Sequence, residues 1–202
     1  MHSREYGPFA DKDLNLAYQK PEFKRVSCTI NGIKVEKMVD KRASLTDFLR
    51  NDFGLTSVKK GCEVGECGAC SVLIDGNSVD SCLYLAIWAD GKDIWTTEGL
   101  QASDGSLSLI QQAFIDHAAV QCGFCTPGFI ITATEIVQRA TRYNRDELKV
   151  LLAGNMCRCT GYENILRAVE DAIEMEITAR GEIETEQPVD PDNDYHDPMI
   201  KD

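Results

Sequence analysis

Eight of the nine cysteines in this 202-residue chain fall into two groups of four, and their spacing limits what the chain can become. The first set reads Cys62-x4-Cys67-x2-Cys70-x11-Cys82. The second reads Cys122-x2-Cys125-x31-Cys157-x1-Cys159. An odd number of thiols, with no export signal ahead of them, argues against a disulfide framework and makes metal ligation the leading explanation. The ninth thiol, Cys28, alternates with polar Ser27 and Thr29 in step with Val26 and Ile30. That is the pattern of a half-buried strand, and Cys28 is assigned to its core.

Cys157-Arg158-Cys159 is the tightest local constraint. On a helix, positions two apart point to nearly opposite sides, and on a strand they lie about 7 Å apart along one face. The stretch "GNMCRCTGY", residues 154–162, is therefore predicted to bend. Gly154 stops the preceding helix, Gly161 precedes the next, and the bend is expected to be held by what it binds rather than by packing.

The elements around the two sets differ in kind. Over residues 24–100, Asn31-Gly32 between β-type runs reads as a hairpin turn. A short helix follows, capped by Ser44 with Asp47 three residues on, lined by Leu45, Phe48 and Leu49, and closed by Gly54. A glycine-rich loop, a strand Ser71 to Ile74, an Asp75-Gly76 turn and a short strand at "DIWTTEG" complete a small α+β domain. Over residues 101–176 the apolar period becomes helical. Ile110, Ala113, Phe114 and Ala118 form one stripe. Phe129, Ile130, Ala133, Ile136, Val137 and Ala140 form a second, with Thr126 as cap and Pro127 at the first helical position. Leu148, Leu151 and Leu152 form a third, capped by Asn144. Ile165, Leu166, Val169, Ala172 and Ile173 form a fourth. In an up-down bundle the turn with Cys122 and Cys125 and the turn with Cys157 and Cys159 lie at the same end, so the four thiols converge.

A C-x4-C-x2-C run with a distant fourth cysteine is the plant-type [2Fe–2S] spacing. Gly61, Gly65 and Gly68 let that loop fold tightly and aim its amides at sulfur. Structural zinc, the alternative, favours C-x2-C knuckle pairs, and only Cys67 and Cys70 make one in this set. In the second set "CGFCTP" alone could be a thioredoxin-like redox pair. That reading leaves Cys157 and Cys159 without a role and lacks the strand that should precede it. A helix opening at Thr126-Pro127 presents its positive end and free amides to an anionic centre. Arg158 either adds positive charge there or is simply solvent-exposed.

The remaining composition mostly excludes. A formal net charge of −12 argues against nucleic acid as a partner. No run approaches the roughly 18 apolar residues of a membrane span, and residues 1–23 lack the apolar segment of a secretory signal; a cytoplasmic, non-membrane protein is expected. Residues 177–202 carry eight acids and two bases and are expected to be a solvated tail, or an arm along a partner. No G-x-G-x-x-G fingerprint or P-loop occurs. Of the three histidines, His2 and His196 lie in the terminal extensions and His117 at a helix end, so no histidine-based metal site is expected.

"GCEVGECGAC…SCLYLA", "VQCGFCTPGFI" and "LAGNMCRCTGY" closely resemble the iron–sulfur subunit, or N-terminal iron–sulfur region, of the molybdenum hydroxylases, the xanthine dehydrogenase and aldehyde oxidase family. The resemblance covers about residues 25–175 with all eight ligand positions in order, and its wording looks most like the small subunits of bacterial xanthine dehydrogenase-type enzymes. It implies a β-grasp, plant-type ferredoxin-like domain followed by an all-α four-helix-bundle [2Fe–2S] domain. It implies an electron relay between partner subunits: from a molybdopterin centre (as the cytosine dinucleotide) on a large subunit, through the cluster of Cys122, Cys125, Cys157 and Cys159, then that of Cys62, Cys67, Cys70 and Cys82, to FAD. It also implies that Gln121 and Cys159 touch the pterin, although Gln121 by itself reads as an ordinary loop-capping side chain. The substrate pocket would lie on another subunit, so this chain would catalyse no substrate chemistry alone. A free-standing two-cluster ferredoxin and a non-redox zinc assembly protein are the alternatives.

Overall fold

Asn31 and Gly32 both adopt left-handed backbone angles, φ 49° and 78°. That geometry closes a two-residue hairpin whose twist matches its strands, and it joins β1 (Phe23–Ile30) to β2 (Ile33–Asp40) in antiparallel register from Phe23↔Asp40 to Ile30↔Ile33. The computed structural model describes residues 22–102 and 104–181. The expectations for the N-terminal extension with His2, and for the acidic segment with His196, fall outside the described residues.

After β2, the Ser44 hydroxyl accepts the Asp47 amide and starts a helix, α1 (Leu45–Asp47). It widens at once into a π-turn over Phe48–Asp52, which no residue type in the sequence marks. Gly54, at φ 69°, ends it. β3 (Ser71–Ile74) and β4 (Asn77–Asp80) pair through the Asp75-Gly76 turn, and β5 (Asp93–Trp95) inserts between β1 and β3. The five strands run in the order β2-β1-β5-β3-β4, with β1 parallel to β5 and the other pairs antiparallel. One face buries Val26, Cys28, Ile30, Val72, Ile74 and Ile94 against Leu45, Phe48 and Leu49. Cys28 thus sits in the core, where burial and then the Asp90 carboxylate push its thiol up to about 11.

The second half is helical: α2 (Leu109–Asp116), α3 (Thr126–Gln138), α4 (Arg145–Leu151) and α5 (Glu163–Arg180). Capping boxes open α2, at Ser108 and Gln111, and α4, at Asn144 and Glu147. Phe114, Phe129, Leu148, Ile165 and Val169 are buried in one shared core. Side chains of this size contribute about 1.5–3 kcal/mol each by leaving water. α3 also lies across the sheet against β3, which is why all four β3 residues are buried. Ser78 of β4 donates its amide to Glu135 Oε2 at 2.8 Å across that junction.

Four local expectations are corrected. Ala118 lies beyond α2 in a left-handed turn (φ 48°) and is exposed, while Ala119 takes the buried place. Thr126 is the first residue of α3, and its cap is Cys125 itself, so Pro127 falls one position deeper. α4 ends at Leu151, before Gly154, which has no left-handed angle. α5 runs to Arg180 with Ile177 buried, so the helical core extends past residue 176. No helix among the described residues is long and apolar enough to cross a membrane.

Candidate metal centres

The loop between α1 and β3 gathers the first thiols. Glu63, Gly65 and Gly68 take left-handed angles there, wrapping the chain around Cys62. The amides of Val64 and Glu66 donate to Cys62 Sγ at 3.5 and 3.3 Å. Those donors bring the Cys62 thiol down to about 7, toward the thiolate a metal takes. Cys67 is its hydrogen-bonding neighbour. A Cβ at Gly61 would stand 2.8 Å from Cys67 Sγ, so only glycine leaves that sulfur room. Cys70, at the foot of β3, neighbours Cys82 after β4; burial pushes the Cys70 thiol up to about 12. The four expected members therefore meet as two pairs, Cys62 with Cys67 and Cys70 with Cys82.

The second set comes from two turns at one end of the helices. Cys125 neighbours Cys157, and Cys122 neighbours Cys159. Burial pushes Cys125 up to about 12, and the adjacent Cys122 raises Cys159. For Cys157, burial raises the thiol, but donors at Thr160 outweigh it and the net shift is downward. The Thr160 hydroxyl donates to Cys157 Sγ at 3.1 Å and its amide at 3.4 Å. The Cys157 amide donates to the Tyr162 phenol at 3.0 Å. Tyr162 adopts φ 68° just ahead of α5, with its ring edge-on to Phe129 at 6.2 Å. Hydrogen bonds and packing thus act on the bend, in addition to whatever the thiols bind.

Two thiol pairs per site suit a two-iron centre, in which each iron takes two of the four protein thiolates. Among the described residues no three His, Cys, Asp or Glu side chains converge as one metal ion would require. The amide and hydroxyl donors around Cys62 and Cys157 are the environment an anionic iron–sulfur centre needs.

The two sites abut. The Met156 amide donates to the carbonyl of Cys67 at 3.0 Å. Asn155 Nδ2 donates to the carbonyl of Gly68, also at 3.0 Å. The Phe124 ring, between Cys122 and Cys125, reaches the space beside Gly61. Cys122 and Cys159 are exposed, as are Gln121 and Arg158. Val120, Phe124, Met156 and Tyr162 add an exposed apolar rim around the second set. Val64 and Leu83 do the same beside the first. His117 Nε2, at the end of α2, lies 3.0 Å from Asp171 Oδ2 of α5. Thr160, Tyr162, Asn155 and Met156 were missed from sequence, though all stand inside the quoted stretch "GNMCRCTGY".

Residues 28–93 match the model of a 2Fe-2S iron-sulfur cluster binding domain, a span holding the first four thiols. Residues 96–170 match that of a [2Fe-2S] binding domain, a span holding the second four. The xanthine dehydrogenase iron-sulfur-binding subunit of Escherichia coli O157:H7 is 51% identical over 148 residues, covering 72% of this chain and 92% of that one. The nicotine 6-hydroxylase small subunit of Paenarthrobacter nicotinovorans is 50% identical over 147 residues, covering 73% and 88%. Among solved structures, quinoline 2-oxidoreductase from Pseudomonas putida 86 superposes with a TM-score of 0.73 at 45% identity, over 80% of this chain and 99% of that one. The aldehyde oxidoreductase of Desulfovibrio gigas superposes at 0.72 and 39% identity, over 79% of this chain but 18% of its own. With both cluster-binding domains in order and half of the 148 aligned residues identical to such a subunit, this chain belongs to the iron–sulfur small subunits of the molybdenum hydroxylase family, the xanthine dehydrogenase and aldehyde oxidase type.

Proposed function

We propose that the chain relays electrons from a molybdopterin centre, as its cytosine dinucleotide, on a large partner subunit to an FAD-binding partner subunit in the cytoplasm. The carrying observation is that thiol pairs of both sets lie on abutting turns, joined by the Met156–Cys67 hydrogen bond. A [2Fe–2S] cluster supplies a site that accepts and releases one electron at a time. Cys62, Cys67, Cys70 and Cys82 hold one such centre, and Cys122, Cys125, Cys157 and Cys159 the other. Amides of Val64 and Glu66 and the hydroxyl of Thr160 steady the charge on sulfur. The α3 N-terminus adds its positive end beside Cys125.

The sheet order and its flanking helix support a β-grasp ferredoxin-like domain over residues 24–100, and the shared helical core supports a four-helix cluster domain over residues 101–176. Leu100 already packs on the helical core and α5 continues to Arg180, so the second unit reaches a little beyond that range at both ends. The exposed rim of Val120, Phe124, Met156 and Tyr162 around Gln121 and Cys159 is the face offered to the molybdopterin subunit, with Gln121 and Cys159 toward the pterin. The Val64 and Leu83 edge is offered to the flavin subunit.

Iron and acid-labile sulfide analysis of the full chain tests the reading, together with purification from the native source. The expected result is about four irons and four sulfides per chain, colour bleached by dithionite, and a co-purifying large molybdenum subunit. Zinc, or two irons in fully loaded protein, sinks the two-cluster assignment. A chain that purifies alone with full redox activity toward soluble partners is instead a free-standing ferredoxin.

A further inference from the structure

Buried polar side chains are almost always hydrogen-bonded, and Asn155, only 4% exposed, is bonded to the other domain. It stands two residues before Cys157, and its Nδ2 donates to the carbonyl of Gly68, next in the chain to Cys67. The following amide, of Met156, donates to the carbonyl of Cys67. Consecutive residues of the second ligand loop thus bond consecutive carbonyls of the first.

The space around this double link is filled. A Cβ at Gly68 would come within 2.5 Å of the Gly154 carbonyl and would overlap the Asn155 amide. A Cβ at Gly128, on the first turn of α3, would overlap the Gly68 carbonyl. Three backbones meet here, and the Asn155 carboxamide lies among them. A leucine would keep the number of side-chain heavy atoms, add bulk and lose the donor, and an aspartate would match its shape and set a carboxylate against a carbonyl.

We propose that Asn155 is a positioning residue: its carboxamide locks the two ligand loops in one relation and thereby sets the electronic coupling between the centres they hold. The proposal rests on the two-cluster reading above. In the step it serves, one electron leaves the centre of the second set and enters that of the first, with no bond made or broken. Among the described residues no hydrogen bond joins Asn155 to a cysteine sulfur; it acts through the Met156–Cys67 contact it holds closed.

The test compares the full-length, iron-loaded chain with Asn155→Leu and Asn155→Asp. Iron content is measured first: a wild type without about four irons overturns the two-cluster reading itself. In dithionite-reduced protein both centres are paramagnetic, and the splitting of their resonance signals reports the coupling. The expected result is iron retained in both variants with the splitting reduced by a third or more, or smeared into a distribution. Unchanged splitting in both iron-loaded variants overturns the proposal, and loss in Asn155→Asp alone assigns the effect to charge and also overturns it. Amide hydrogen exchange of wild-type holoprotein needs no variant to fold. Exchange of Met156 as slow as the helical core is expected, and exchange tenfold or more faster than that core overturns the lock.

Discussion

The phenol oxygen of Tyr162 accepts the backbone N–H of Cys157 at 3.0 Å. A left-handed tyrosine thereby fixes the peptide of a thiol five residues earlier. Tyr162→Phe keeps the ring against Phe129 and removes the acceptor. An amide left without a partner costs about 1–3 kcal/mol, toward the low end where it is partly hydrated. The expected outcome is a loss of about 1 kcal/mol in chemical denaturation and a changed visible or paramagnetic signal for the second centre only. Altered signals from both centres would contradict it.

The two thiol sets are built from separate segments, so each should fail alone. Cys70→Ser is expected to remove the first centre and Cys157→Ser the second, leaving about two irons per chain in each case. Iron analysis with resonance spectroscopy identifies which signal survives. Loss of all iron from either variant would show that one site is needed to form the other.

At Gly128 two effects oppose each other. Alanine favours the helical backbone, by about 0.5–1 kcal/mol in mid-helix and less in a first turn such as this one. Its methyl would also overlap the Gly68 carbonyl, and overpacking of this kind costs about 1–3 kcal/mol. Gly128→Ala is therefore expected to be net destabilising, as a lower denaturation midpoint. A stabilised variant would mean that the junction yields easily.

Glu98 gives the clearest acid dependence. Its carboxylate accepts the Ser57 amide at 2.8 Å, the Ser57 hydroxyl, and the Thr96 hydroxyl at 2.6 Å. Burial raises its pKa, but the Ser57 and Thr96 bonds outweigh it and the net shift is downward. A carboxyl lowered in the folded state favours folding above its unfolded value, about 4.3. That contribution is lost as pH falls through the lower folded value. Between about pH 6 and pH 3 the urea midpoint of the wild type should therefore fall more than that of Glu98→Gln. Parallel curves would refute the assignment.

The two cluster-binding domains were legible because each carries a four-cysteine spacing of its own, and the hairpins were legible because Asn31-Gly32 and Asp75-Gly76 need left-handed backbone. The exchange of Ala118 for Ala119 was not, since a tight turn after α2 breaks the helical period one residue early. Ile177 read as part of a charged tail because its burial depends on packing across helices, while its neighbours in sequence are polar. Asn155 and Gly68 are 87 positions apart, and neither neighbourhood alone announces their bond. The roles of Tyr162 and Thr160 were hidden for a related reason: a hydroxyl near a cysteine has many uses until the turn between them is known.

Cys125 and Cys157 are separated by 31 residues. Tying the ends of a free chain segment of that length costs about 3–4 kcal/mol of chain entropy. Here Phe129, Leu148 and Ile165 close the segment by apolar packing, and Thr160 and Tyr162 hold its far end in shape. The packing and those hydrogen bonds, made by the chain itself, therefore bring the turns that carry the two cysteines to one end of the helices.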